Sequence, residues 1–449
     1  MRLWIKEPLA ILAEGAEGGV VVENGRIAEL VRRGGRPAGD VDEVFDASAH
    51  VVLPGLINTH QHFFQNLTRA HPLGINKELG PWLAALYPVW QHLEPDMLRL
   101  AAQVAMTELL MSGATTVADH QYMFPRGMEH AVDIEFEEAE KLGLRLVVAR
   151  GATVLGEADG RLPPMGMVED EDDVLADFER ILARYHQRAE GATRQIALAP
   201  TALLIVSDRM MVESAKLADR HDCRLHTHLA ESADEVDWCI ANRGYRTVDW
   251  LEEVGWLSPR TWLAHGIHFS QDECERLGRH GVGICHCPTS NALLASGLCR
   301  TRELEAAGAP VGLGSDGGAS AGAANIMEEV RHAVMINRLH YGDAAGTTHL
   351  DALRWATEGS ARCLGRSDIG RIAVGKQADF AMFKLDELRF SGVQDPIAGL
   401  VLSGANHADR VMVGGKWRIV DGRPPGVDIE RLMAQHAEAA RKLSGTLSI

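Results

Sequence analysis

Short apolar runs alternate with stretches of helical periodicity along most of this chain. The runs cover 51–60, 113–120, 144–151, 194–201, 224–231, 261–268, 282–289 and 311–317. Each has the length of a buried strand. Between them, "EPDMLRLAAQVAMTELLMSG" (94–113) and "MMVESAKLADRHD" (210–222) repeat apolar residues on one helical face among strong helix formers. Eight strand–helix units predict an α/β fold, a closed (β/α)8 TIM barrel over 54–370. An open doubly wound sheet is the competitor. The barrel is favoured because polar residues sit at nearly every run's C-terminal end, the face on which such barrels carry their sites.

The two chain ends have a different texture. "GGVVVENGRIAEL" (18–30) carries an Asn24-Gly25 hairpin signal, and "GRIAVGKQADFAMFKL" (370–385) and "ADRVMVGGKWRIVDGRPP" (408–425) repeat a strand–turn–strand pattern. Neither end has enough strands to bury a core alone. The prediction is one small β-sandwich domain built from 1–53 and 371–425. A last helix, within 426–449, should pack on the exterior.

Composition narrows the function classes. The 449 residues are 46% hydrophobic and 24% charged, which is ordinary for a globular protein. A net charge of −17 argues against nucleic acid and anionic membranes as partners. The seven cysteines form no CxxC pair, so reduced thiols and a cytoplasmic location are expected. The N-terminus lacks the pattern of a signal peptide, and no segment has the length of a membrane span.

Chemistry enters with "LPGLINTHQHFFQNL" (53–67), a dry strand that finishes on His60 and His62. Side chains two apart on a strand share a face, so both imidazoles should point into the barrel mouth. Taken alone, the pair is equally compatible with two polar residues closing a strand. "RLHTHLAE" adds His228 near the end of the fifth run, with Glu231 after it; His226 reads as a deeper, hydrogen-bonded core histidine. "WLAHGIHF" puts His265 at the same height, with His268 in the following loop. "VGLGSDGG" delivers Asp316 at the end of a buried strand, where an unpaired charge is costly. Three imidazoles (His60, His62, His228) and Asp316 suit one Zn²⁺, or Fe²⁺ in its place. The fourth run has no lysine to bridge a second metal. Such a metal lowers the pKa of bound water to about 7. Glu231 can then protonate a ring nitrogen, Asp316 can relay the water's proton to the leaving group, and His265 can hold the developing alkoxide. That is hydrolytic deamination of a small heteroaromatic substrate.

Together, "PGLINTHQH", "HTHLAE", "LAHGIHF", "CHCPTSNALLASG" and "GLGSDGG" resemble the amidohydrolase superfamily, in its aminohydrolase branch of guanine, cytosine, adenosine-type and s-triazine enzymes. "INTHQHFFQNLTRAHP", "NKELGPWLAALYPVW", "RTWLAHGIHF", "LRWATEGSARCLGR" and "GKQADFAMFKLDELRFSG" look most like the 8-oxoguanine deaminase family. The resemblance spans essentially the whole chain. It implies a distorted barrel with one zinc, held by His60, His62, His228 and Asp316, with Glu231, His265 and Asp316 moving protons. It implies a homo-oligomer as well. Gln65 matches a position facing the ring in related enzymes, or else caps a helix. Arg150 meets a substrate carbonyl or forms a salt bridge. Trp82, Tyr87 and Trp90 wall the mouth or form the core face of a helix.

The chain departs from the family pattern in three places. Gln61 stands where 8-oxoguanine deaminases usually carry a third histidine. After the fourth run, Thr201, Ala202, Leu203 and Leu204 replace the arginine and phenylalanine of guanine deaminases, which speaks against that activity. "GGASAGAAN" places Ala321 and Gly322 where much of the family has a more polar sequence. The predicted substrate is 8-oxoguanine, giving urate and ammonia. The alternatives are another aminopurine, an isocytosine-type pyrimidine or an s-triazine, and, from a different class, a non-catalytic relative that keeps only a structural role.

Overall fold

In the computed structural model, which describes residues 1–445, eight parallel strands form one sheet in strict chain order. They are Leu56–Asn58, Ala114–Gln121, Arg145–Ala152, Arg194–Pro200, Arg224–Leu229, Thr261–His265, Gly283–His286 and Val311–Leu313. Inward-facing Ile57, Ala118, Val147, Ala149, Ala197, Ala199 and Cys285 pack with Trp262 in the barrel interior. Most of these are small, and the one large ring, Trp262, donates its Nε1–H to Thr59 O at 3.1 Å. The barrel closes through polar groups. Thr59 gives both its N–H and its hydroxyl to Leu313 O, each at 2.9 Å. Asn58 and Ser315 exchange two bonds, at 2.8 and 3.1 Å. Asp316 N–H donates to His60 O at 3.1 Å.

The predicted run 51–60 is two strands in two sheets. Its first part, His50–Pro54, pairs antiparallel with Phe380–Lys384; its second, Leu56–Asn58, opens the barrel. Gly55 makes the switch, where a Cβ would overlap the Thr115 side chain. The fifth to eighth runs also end earlier than their apolar pattern suggested, at Leu229, His265, His286 and Leu313. Their polar C-terminal residues leave the ladder and become loops over the barrel mouth.

The chain ends build two sheets against each other. One orders Arg26–Val31, Gly19–Glu23, Arg2–Lys6 and Glu43–Asp46; the other orders Lys416–Ile419, Arg410–Val413, Phe380–Lys384, His50–Pro54 and Ala10–Ile11. Leu3, Ile5, Val20 and Val22 from the first meet Val52, Phe380, Met382 and Met412 from the second in one apolar cluster. Helix Ile429–Ser444, capped by Asp428, packs on helix Pro95–Met111. The last four residues of the expected C-terminal segment lie outside the described residues. No described helix is long and apolar enough to cross a membrane.

Arg145 joins the sandwich to the base of the barrel. Its guanidinium grips Asp379 with two bonds, at 2.8 and 3.1 Å, and donates to Gly191 O at 2.7 Å. Both side chains are 3% exposed. Removing one partner of a buried pair strands the other charge, at a cost of ~3–5 kcal/mol. Arg145→Met should therefore lower unfolding free energy by about that amount in a urea titration. A loss below about 1 kcal/mol would mean that the joint does not depend on this pair.

Candidate active site

His60 and His62 lie just beyond the first strand, His62 in extended backbone, and their rings meet edge to face, 4.7 Å apart. Each ring's protonation can be read from its neighbours. His226 donates Nδ1–H to Trp262 O at 2.9 Å, so its Nε2 is an acceptor. His60 Nδ1, 2.9 Å from that Nε2, must be the donor. His60 Nε2 is then a lone pair, buried and without a hydrogen-bond partner. His62 spends Nδ1–H on His120 O and His228 spends its own on Thr201 O, both at 2.8 Å. Their Nε2 atoms, 3.3 Å apart, are two acceptors facing each other. Asp316 Oδ1 lies 3.5 Å from His60 Nε2 and 3.3 Å from His62 Nε2. Burial holds all three imidazoles neutral, with His62 lowered to about 3. Such a donor set fits a divalent cation, and the orphaned His60 nitrogen has no other use.

The carboxylates differ in environment. Burial pushes the Glu231 carboxyl up to about 8, so it is protonated at neutral pH. Burial would raise Asp316 too; charged imidazoles at His60, His62 and His265 would hold it well below the usual carboxylate range, and with those rings neutral a bound cation has to supply that charge. Asp316 Oδ2 accepts from the Ser320 hydroxyl at 3.0 Å. His265 gives Nδ1–H to Asn291 Oδ1 at 2.9 Å and turns Nε2 toward Glu231 at 3.6 Å. In this tautomer His265 is a proton acceptor at Nε2, so it can hold a developing alkoxide only after taking a proton. His265 and Asp316 both have left-handed backbone, φ +70° and +57°. Strained non-glycine residues of this kind cluster at functional sites.

A cavity of about 310 Å³ opens beside this cluster, large enough for a nucleobase. His62, His228, Glu231, His265 and Asp316 face it, with Gln65, Trp82, Tyr87 and Thr201 among its walls. Gln65 donates to the Tyr122 hydroxyl at 3.3 Å and leaves its Oε1 buried without a partner. Gly317 permits this approach, since a Cβ there would overlap the Gln65 amide. Thr201 uses its hydroxyl to accept from Ala152 N–H at 3.2 Å and its carbonyl to orient His228.

For two residues the site alternative fails and the structural one holds. Arg150 does not line the cavity; it binds Glu169 at 2.6 Å and Asp177 at 3.0 Å and lies over Phe124. The reason is parity: Val147 and Ala149 point into the barrel, so residue 150 points out toward the helices. Trp90 is set behind Trp82, its indole N–H bound to Thr68.

The comparisons with known proteins agree with this geometry. The amidohydrolase family model matches residues 51–418. The chain belongs to the amidohydrolase family. This amidohydrolase is 58% identical to 8-oxoguanine deaminase of Pseudomonas aeruginosa, over 98% of this chain and 99% of that one. It is 37% identical to an isoxanthopterin deaminase from an unknown prokaryotic organism, over 90% and 87% of the two chains. Among solved structures, atrazine chlorohydrolase TrzN from Arthrobacter aurescens TC1, complexed with zinc, superposes with a TM-score of 0.91 at 29% identity, over 98% of this chain and 100% of that one.

Other residues of this amidohydrolase's site carry weaker signals in the sequence. His120, at the end of the second strand, stacks on His228 with centroids 4.9 Å apart and leaves Nδ1 unpartnered. The polar ending "ADHQ" is its one available signal. Ligand-type atoms fall into two groups that share His60: one with His62, His120 and His228, the other with His265 and Asp316. Arg161 and Trp238, from loop and helix, complete the cavity mouth. We infer that His60, His62, His228 and Asp316 hold the cation while His120 orients His62 through its carbonyl. His228→Ala should then lose stoichiometric metal and His120→Ala should retain it, measured by elemental analysis of the purified proteins. The reverse pattern would move the metal onto His120.

Proposed function

We propose that this protein is a mononuclear zinc hydrolase that deaminates 8-oxoguanine to urate and ammonia. The supporting observation is 58% identity, end to end, to a curated 8-oxoguanine deaminase, joined to a cavity that holds a neutral buried carboxylic acid beside an ionised one. Zinc suits three neutral imidazoles and a carboxylate, and when bound it supplies an activated water. Gln65 forms part of the cavity wall with its amide held by the Tyr122 hydroxyl, and Trp82 and Tyr87 offer rings to the face of a purine. Glu231 donates its proton to the ring nitrogen beside the amine-bearing carbon, which makes that carbon more electrophilic. Asp316 takes the attacking water's proton and passes it to the departing amine. His265, held by Asn291, takes at Nε2 the remaining proton of the new C–O–H group and returns it to Glu231, 3.6 Å away, which regenerates the acid as the carbonyl product forms. The seven described cysteines are all buried and free, which supports a cytoplasmic home. A homo-oligomer is the assembly we favour.

A second reading is supported by the triazine likeness and by the apolar Ala202, Leu204 and Ile205 in the cavity wall. Release of ammonia or chloride from 8-oxoguanine, guanine, isocytosine, cytosine, an aminotriazine and a chlorotriazine separates the two. Turnover of 8-oxoguanine should exceed every other compound by at least about tenfold. No turnover of it by fully metallated enzyme would reject the assignment.

Glu231→Gln should abolish turnover, losing about 100-fold or more, with fold and metal content intact. Because the protonated acid is the active form, kcat/KM should fall about tenfold per pH unit above a pKa near 8. A pH profile that rises through that range would remove Glu231 from the role of proton donor.

A further inference from the structure

One cation at the mouth of the substrate cavity has no assigned work. Arg161 follows the turn Glu157–Asp159, in the loop between the third barrel strand and helix Glu171–Tyr185. Its neighbour Leu162 is 48% exposed, so this loop forms the outer rim. The Arg161 guanidinium lies over the Trp238 ring, 4.5 Å from its centroid. Its Nε is buried and has no hydrogen-bond partner, and no carboxylate among the described residues pairs with it. Arg161 is the only arginine or lysine among the residues lining the cavity. Arg150 makes the contrast: its guanidinium is saturated by Glu169 and Asp177 and faces away from the cavity.

A buried donor without a partner is costly, and the Arg161 Nε is such a donor at the wall of the cavity. The Trp238 ring backs the guanidinium, and both residues line the same cavity. A planar fork of N–H donors matches an oxygen on the edge of a flat ring, especially one carrying negative charge. Glu231 and Asp316 act at the inner, histidine-lined end, so an oxygen read from the rim lies on the far side of the ring from the departing amine.

We propose that Arg161 is a specificity-determining residue that binds a carbonyl or enolate oxygen on the ring edge remote from the departing amine. This rests on the purine-deaminase reading above. It names the C8 oxygen, which 8-oxoguanine has and guanine lacks, as the group that Arg161 reads.

Urate and xanthine differ by that same oxygen, so their binding tests the proposal apart from the chemistry. Calorimetric titration of metallated wild type should give urate at least tenfold tighter than xanthine. Arg161→Met, which keeps the stem and removes the fork, should bring the two within threefold and raise KM for 8-oxoguanine at least tenfold with kcat within threefold. Arg161→Lys should fall between, and carries the same readout if the methionine variant does not fold. Equal binding of urate and xanthine by wild type, or an unchanged ratio in the variants, overturns the proposal. Wild type that turns over 8-oxoguanine while the ratio survives in Arg161→Met rejects this inference alone. Wild type that neither turns over 8-oxoguanine nor binds urate rejects the substrate assignment beneath it.

Discussion

Imidazole nitrogens that have already spent their protons elsewhere cannot face one another in a dry interior without a cation between them. His62 and His228 do so at 3.3 Å, and His60 adds a third lone pair with no partner. The constraint is imposed from outside the cluster. Thr201 O, His120 O and the His226–Trp262 relay each capture an Nδ1 proton and so fix every tautomer. The whole upper end of the barrel is arranged to keep those acceptors in place, and the acidity of the two carboxyls follows from the same crowding. Asp316 is ionised where the cation that the imidazole lone pairs face also faces its carboxylate; Glu231 is neutral because burial dominates its surroundings.

The cluster also sits on the barrel's seam. His60 and His62 follow the first strand and Asp316 follows the eighth, and the two short strands are joined mainly by Asn58, Thr59 and Ser315. A cation held across these residues would close the seam as well as serve the chemistry. The left-handed backbone at Asp316 and His265 is a local cost that the surrounding hydrogen bonds offset.

Much of this is legible in the amino-acid sequence alone. Strand alternation puts His60 and His62 on one face, and apolar runs ending in polar residues mark the barrel mouth. Failures come where a local pattern carries no tertiary information. Residues 51–57 are apolar throughout because both strands are buried, so only Gly55 betrays the break. Arg150 looks like a site residue because of its position along the strand, while its facing is set by the inward Val147 and Ala149. Helical spacing cannot separate Trp82, at the cavity, from Trp90, behind it. Arg161 lies in a segment without periodicity, so nothing in its neighbourhood signals where it points.

The pairing of His50–Pro54 with Phe380–Lys384 has a consequence for how the chain is made. A ribosome releases the N-terminal strands long before their partners exist. His50–Pro54 must wait, one edge unpaired, while the entire barrel is synthesised. Closing so long a loop is entropically unfavourable, yet the cost grows only slowly with length. The vulnerable interval is therefore one of time. Truncated or stalled chains lacking residues beyond 380 would expose half a sandwich, and the last domain to be completed is the one that was begun first.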